Sequence, residues 1–192
     1  MKTYSELQTA VAGWIKRGDM AGIIPSLISL AEVRLSRLLF DAQVRQMESQ
    51  HEEKVSSAEV SLPTGFLGMA GNPTLNGDTI YFITREQIAS KKESGYYTIK
   101  GDRLILSATP TDAALKFDYY SRIPALSDAN ATNWLLAASP DVYLYATLIE
   151  AEPYMKNDAR AATWKTFLEI GIAAIKAESD GSKYPSGALE IK

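Results

Sequence analysis

Apolar side chains recur along the first forty residues with the period of an α-helix. Leu7, Val11, Trp14 and Ile15 follow one another at spacings of four, three and one, which makes a single stripe. Thr3-Tyr4-Ser5-Glu6 in front of them has the form of a capping box, and Gly18 behind them is a residue suited to closing a helix. Asp19 then opens a second helical region, with Pro25 in its first turn or at a break near its start. Leu27, Ile28, Ala31, Leu35, Leu38 and Leu39 share one face of it, while Glu32, Arg34 and Arg37 fall largely away from that face. This helix is expected to run to about Phe40.

Beyond Asp41 the period changes to two. Ala58, Val60 and Leu62 alternate with Glu59 and Ser61, as a half-buried strand requires, and Val44–Glu48 is its candidate partner. Thr79–Ile83 is apolar on both faces and predicts an inner strand. Thr84-Arg85-Glu86-Gln87 can cap a short helix reaching about Lys91. Tyr96–Lys100 and Arg103–Ser107 flank Gly101-Asp102, a two-residue turn for a tight hairpin. Leu115, Phe117 and Tyr119 alternate with Lys116, Asp118 and Tyr120. The connections are too short for crossover helices, so these strands are expected to pair antiparallel.

Helical periodicity returns in the last third. Asn133–Ala138 predicts a short helix. Ser139-Pro140-Asp141 is a start signal in which serine caps, proline fills the first turn and aspartate meets the positive end of the helix dipole. Val142, Tyr145, Leu148, Ile149 and Glu152 continue that helix to Pro153, which must kink or end it. Asn157 or Asp158 opens a last helix bearing Trp164, Phe167, Leu168, Gly171 and Ile175, with a stop near Asp180-Gly181. The fold class is therefore α+β in one domain. Residues 1–42 and 123–181 form a helical frame, residues 43–122 a β-rich insert, and residues 182–192 a polar tail that orders on a partner.

A chain of 192 residues needs neither disulfide nor metal to hold such a core. It has no cysteine, which removes disulfide scaffolds, thiolate zinc, iron–sulfur ligation and cysteine nucleophiles, and fits synthesis in a reducing compartment. Its net charge of −3 lacks the basic surplus by which proteins hold nucleic-acid phosphates. No apolar run is long enough to span a membrane, and the N-terminus is amphipathic and charged rather than a signal core, so a soluble, unprocessed protein is expected.

Catalytic patterns are sparse. His51 is the only histidine and stands beside Glu52 and Glu53, which suggests a solvated turn rather than a zinc ligand or a triad member. Glu150 and Glu152 lie two apart on one helix, where their side chains diverge. Gly65, Gly68 and Gly71 lack the lysine of a phosphate-binding loop. No catalytic residue, cofactor or metal is assigned, and a non-enzymatic protein is expected. The alternative is a cell-wall hydrolase using a carboxylate pair that only folding brings together.

Tyrosines are more suggestive. Ten are present against five phenylalanines, in clusters at Tyr96-Tyr97, Tyr119-Tyr120, Tyr143 with Tyr145, and Tyr184. Tyrosine joins an apolar ring to a polar tip, which suits surfaces covered in an assembly. Tyr119 and Tyr145 fit a core margin. Tyr96 and the tail residues Tyr184, Pro185, Leu189 and Ile191 are the candidate partner-binding residues.

Two segments carry a resemblance. The first is Thr3-Tyr4-Ser5-Glu6-Leu7 with Ile24-Pro25-Ser26-Leu27-Ile28-Ser29-Leu30-Ala31-Glu32-Val33-Arg34-Leu35. The second begins at Ser121-Arg122-Ile123-Pro124-Ala125-Leu126-Ser127-Asp128 and Thr132-Asn133-Trp134-Leu135-Leu136. It continues through Pro140-Asp141-Val142-Tyr143-Leu144-Tyr145 to Glu150-Ala151-Glu152-Pro153-Tyr154-Met155-Lys156-Asn157-Asp158. In order and content they resemble the head-to-tail adaptor (connector) proteins of tailed bacteriophages, including tail-tube-type adaptors of short-tailed phages. The resemblance implies a structural virion protein of the tail or neck, made in the host bacterial cytoplasm. It implies self-association into a ring, commonly of twelve subunits, under the portal protein ring, with downstream nozzle or tube proteins as further partners. DNA would pass through such a ring without specific binding. The tail would reach toward the portal, and Asn133-Trp134-Leu135-Leu136 would anchor the return from the insert to the bundle.

Overall fold

The computed structural model describes residues 1–155 and 158–183, the side chains of 158, 159 and 183 excepted. The chain divides into two compact units. One comprises Met1–Met47 and the chain from Ile123 onward. The other is Glu48–Arg122.

Helices build the first unit: α1 (Tyr4–Ile15), α2 (Ile24–Asp41), α4 (Trp134–Ala138), α5 (Pro140–Met155) and α6 (Asp158–Lys183). Helix α5 packs against α1, α2, α4 and α6 alike. Its sequence has no strongly preferred apolar face because it is buried on nearly every side, with Val142, Tyr143, Leu144, Ala146, Leu148 and Ala151 all covered. Gly171 lets α6 approach α5 closely: a methyl group at that position would stand 2.5 Å from Val142 Cγ2.

The helix ends follow the capping logic with changes. Thr3 Oγ1 accepts from the Glu6 amide, but the Glu6 carboxylate turns to the Lys2 amide instead of closing the box on Thr3. Helix α1 ends at Lys16, which adopts the left-handed conformation at φ 53°, and not at Gly18, where a 3₁₀ turn (Gly18–Ile23) begins. Pro25 lies in the first turn of α2. Pro153 sits in the last turn of α5, and α6 continues past Gly181 to Lys183. Two residues of the predicted stripes leave the core, since Trp14 and Leu38 are exposed. Glu32, expected on the outer side, is buried.

The second unit contains β1 (Glu48–Val55), β2 (Glu59–Ser61), β3 (Phe66–Met69), β4 (Thr74–Leu75), β5 (Asp78–Thr79), β6 (Tyr81–Phe82), α3 (Arg85–Ser90), β7 (Tyr96–Lys100), β8 (Arg103–Leu106) and β9 (Ala113–Ser121). One sheet runs β1-β9-β4-β5 with β3 also paired to β9, and the other runs β2-β8-β7-β6. Their inner faces share one apolar cluster that includes Val55, Val60, Ile80, Tyr97, Leu104, Leu115 and Phe117. The hairpin about Gly101-Asp102 forms as expected, Gly101 taking φ 63°, and Thr84 and Gln87 complete the capping box of α3.

Three expectations for this unit are corrected. Val44–Glu48 is not a strand: a 3₁₀ turn occupies Arg45–Met47, and the strand starts at Glu48 and takes in His51, Glu52 and Glu53. Thr79–Ile83 is not an inner strand; it breaks into β5 and β6, and only Ile80 is buried while Tyr81 and Phe82 face solvent. Pairing is not antiparallel throughout, because β6 and β7 run parallel across the short connection through α3.

Candidate functional site

Three groups of side chains stand out, all of them in the helical unit. The first is buried. Glu32 Oε1 accepts from the Leu126 amide at 2.8 Å and from the Tyr143 hydroxyl at 2.9 Å. Asn133 Nδ2 donates to the Tyr143 hydroxyl and to the Pro124 carbonyl, both at 2.8 Å, while its Oδ1 caps α4 through the Leu136 amide. The segment from Ile123 to Asn133 has no helix or strand of its own, so these bonds satisfy backbone groups that would otherwise be buried without partners. The Ala131 carbonyl adds the Tyr4 amide at the start of α1. Burial pushes the Glu32 carboxyl above its ordinary range, against the opposing pull of its two donors. Burial, then the Glu32 charge, raises the Tyr143 hydroxyl. Asn133 therefore ties this segment to α4 and α5, and Glu32 ties it to α2.

The second group is aromatic. Trp164 packs edge-on to Trp14 at 5.3 Å between ring centroids and stacks on Tyr145 at 6.0 Å, and Phe167 joins Tyr145 at 5.4 Å. Arg160 lies over the Trp164 ring and 3.5 Å from Glu152 Oε1, which also accepts from Trp164 Nε1 at 2.8 Å. Glu152 Oε2 is buried without a hydrogen-bond partner among the described residues. A groove of about 620 Å³ beside this cluster is lined by Ala10, Gly13, Trp14, Lys16 and Arg160. Tryptophan, tyrosine and arginine on one patch are the residues that dominate protein–protein contacts.

The third group runs along α2, where Leu30, Val33 and Leu38 line a groove of about 460 Å³ with Arg34, Arg37 and Glu150. Glu150 is ion-paired to Arg34 at 2.6 Å. Glu150 and Glu152 thus have separate partners on separate helices, and they do not converge on a reacting centre.

His51 lies in β1 opposite Phe117, 5.0 Å between ring centroids, and not in a solvated turn. Its Nε2 is 3.2 Å from Glu53 Oε1, in a geometry that makes no hydrogen bond. Among the described residues no three His, Asp or Glu side chains gather to hold a metal, and no helix is long and apolar enough to cross a membrane. Tyr96 is half-buried in β7 with Lys91 Nζ 5.1 Å from its ring centre. Tyr184, Pro185, Leu189 and Ile191 lie outside the described residues. Sequence reasoning missed the Glu32–Tyr143 contact, because nothing in a stripe of apolar positions marks a glutamate for burial. Gly65 takes φ 82° at a turn whose carbonyl accepts from the Arg122 amide, which accounts for that glycine without a phosphate.

What decides the identity is a match over residues 2–189 to the family described as SU10 adaptor protein. The chain belongs to the SU10 adaptor protein family. It is a bacteriophage head-to-tail adaptor, a structural protein of virion assembly. No curated protein matches it. In this SU10 adaptor protein the Glu32–Tyr143–Asn133 bonds belong to the frame of the helical unit, which also carries the aromatic patch and the α2 groove.

Proposed function

We propose that this adaptor forms a ring beneath the portal, joins capsid to tail at the virion neck, and extends the DNA channel. The family match supports the adaptor role, and it spans the helical ends as well as the insert. A net charge of −3 suits a channel wall past which DNA must slide, because phosphates are not held by it. In this reading portal and downstream tail proteins are the partners. Tyr184, Pro185, Leu189 and Ile191 dock the tail on the portal, and Tyr96 meets a neighbouring virion protein.

Mixing the purified protein with rings of the cognate portal and imaging the complexes tests the reading. A ring of adaptor density on the portal is expected, and its absence with portal and with tail components alike would sink it. Truncation after Lys183 should leave the described fold intact and weaken docking to the portal; undiminished docking would remove the tail from the proposal.

A further inference from the structure

We infer that the outer face of α2 and the outer face of α6 are the two halves of one contact between neighbouring copies of this chain. The inference rests on the ring reading above and names the faces that would close the ring.

Helix α2 is apolar on two sides. Leu27, Ile28, Ala31, Leu35 and Leu39 fill the core, yet Leu30, Val33 and Leu38 on the other side are 51%, 36% and 37% exposed and line the groove. A helix belonging to a free-standing bundle has no use for that second stripe. Helix α6 carries a matching ridge. Phe167 and Ile170 are 42% and 62% exposed. Ala174 and Glu178 follow Phe167 at seven and eleven residues, which at about 100° per residue keeps all three within about 20° of one line.

Groove and ridge lie on different sides of α5. Glu150 of α5 reaches Arg34 in the groove, while Tyr145 packs on Phe167 of the ridge. Five residues separate them, a turn of about 140° around the helix. One patch therefore remains free when the other is engaged, so a contact of groove on ridge can be repeated from copy to copy. Contacts between unlike patches run head to tail and give rings when the rotation closes.

The charges agree with that pairing. Arg34 is neutralised by Glu150, but Arg37 at the groove has no ion-pair partner among the described residues, Asp41 one turn further on included. Glu178 at the end of the ridge has none either. A free cation beside one apolar stripe and a free anion beside the other fit a second copy of this chain. The apolar anchors are few for an interface that needs about 800 Å² per partner, so the contact forms in full on a portal template.

The chain has no cysteine, so cross-linking can be directed. Val33→Cys and Ile170→Cys variants, each checked for wild-type circular dichroism, would be assembled on portal rings and treated with a short bismaleimide. The mixture of the two should give covalent dimers, each variant alone none, and the V33C/I170C double variant a ladder of oligomers. Leu30→Cys with Phe167→Cys replaces either variant that fails to fold. Arg37→Glu should lower ring occupancy about tenfold, and adding Glu178→Arg should restore it. Adaptor rings visible on the portal without cross-links, or V33C linking to itself, would overturn the assigned faces and leave the ring standing. If no ring forms, the ring reading fails and this inference falls with it.

Discussion

The two units of the adaptor treat polar groups in opposite ways. The helical unit takes them inside: Glu32, Ser36, Asn133, Thr147, Glu152 and Ser179 are all buried. The β unit buries Thr98 and keeps its charges outside, with Lys116 near Glu52, Arg103 on Glu59 and Lys54 on Asp112. The reason lies in how each unit satisfies its backbone. Strands pair their own amides and carbonyls, so the sheets need little side-chain help. The helical unit must hold the stretch between Ile123 and Asn133, which pairs with little of itself, and buried side chains supply the missing partners. Buried polar contacts are unforgiving when one member is lost, whereas exposed ion pairs contribute little. The helical unit is thus the sensitive half of the protein and the β unit the tolerant half.

All three tryptophans, Trp14, Trp134 and Trp164, belong to the helical unit, so their emission follows that unit alone while circular dichroism follows both. The contrast is broken most directly at Glu32. Glu32→Ala strands the Leu126 amide and the Tyr143 hydroxyl, and should cost the helical unit about 2–4 kcal/mol in urea titrations of tryptophan emission. A loss below 1 kcal/mol would show that water replaces the carboxylate and that the buried polar groups are dispensable.

Gly171→Ala comes next. The added methyl meets Val142, and the expected cost is about 1–3 kcal/mol despite alanine's better helix propensity. Val142→Ala on the same background should return part of it; an additive double variant would mean the helices separate freely.

Thr84→Ala removes the cap of α3 and should cost about 1 kcal/mol, seen as faster amide exchange over Arg85–Ser90 with no shift in tryptophan emission. An emission shift would mean that the units are energetically coupled.

The smaller effects concern charge. Burial raises the folded pKa of Glu32 above its ordinary 4.5, so the folded state keeps a proton that the unfolded state releases. That contribution is full below about pH 4.5 and is lost as pH rises through the folded value. Glu32→Gln lacks it, so the wild type should gain on the variant as the medium is acidified. A difference independent of pH would remove the titration argument. Arg103→Ala should change stability by no more than about 0.5 kcal/mol, because its pair with Glu59 is exposed.

The sequence made the helical periods, the short hairpin at Gly101-Asp102 and the cap at Thr84 legible because each is a local event. Glu32 was hidden for the opposite reason. Its partners stand at positions 126 and 143, and no nearby spacing announces them. His51 was misplaced because an alternation of charged and polar residues reads as a turn when the strand beside it, β9, comes some sixty residues later. Tyr81 and Phe82 read as core because composition ignores which strand ends a sheet, and β6 is an edge. The candidate surfaces were half visible. Leu38 and Trp14 sat on the predicted apolar stripes, and exposure alone moved them to the outside.

The pairing of β1 with β9 also bears on how such a protein changes over evolutionary time. The insert's first strand and its last are neighbours in register, Glu48 beside Tyr120, so chain enters and leaves it at one place. Seen from the helices, everything between is one long hairpin loop. Its length and contents can vary at little entropic cost, since closing a loop grows only slowly more expensive with size. A lineage can then exchange the insert and inherit the helical frame intact.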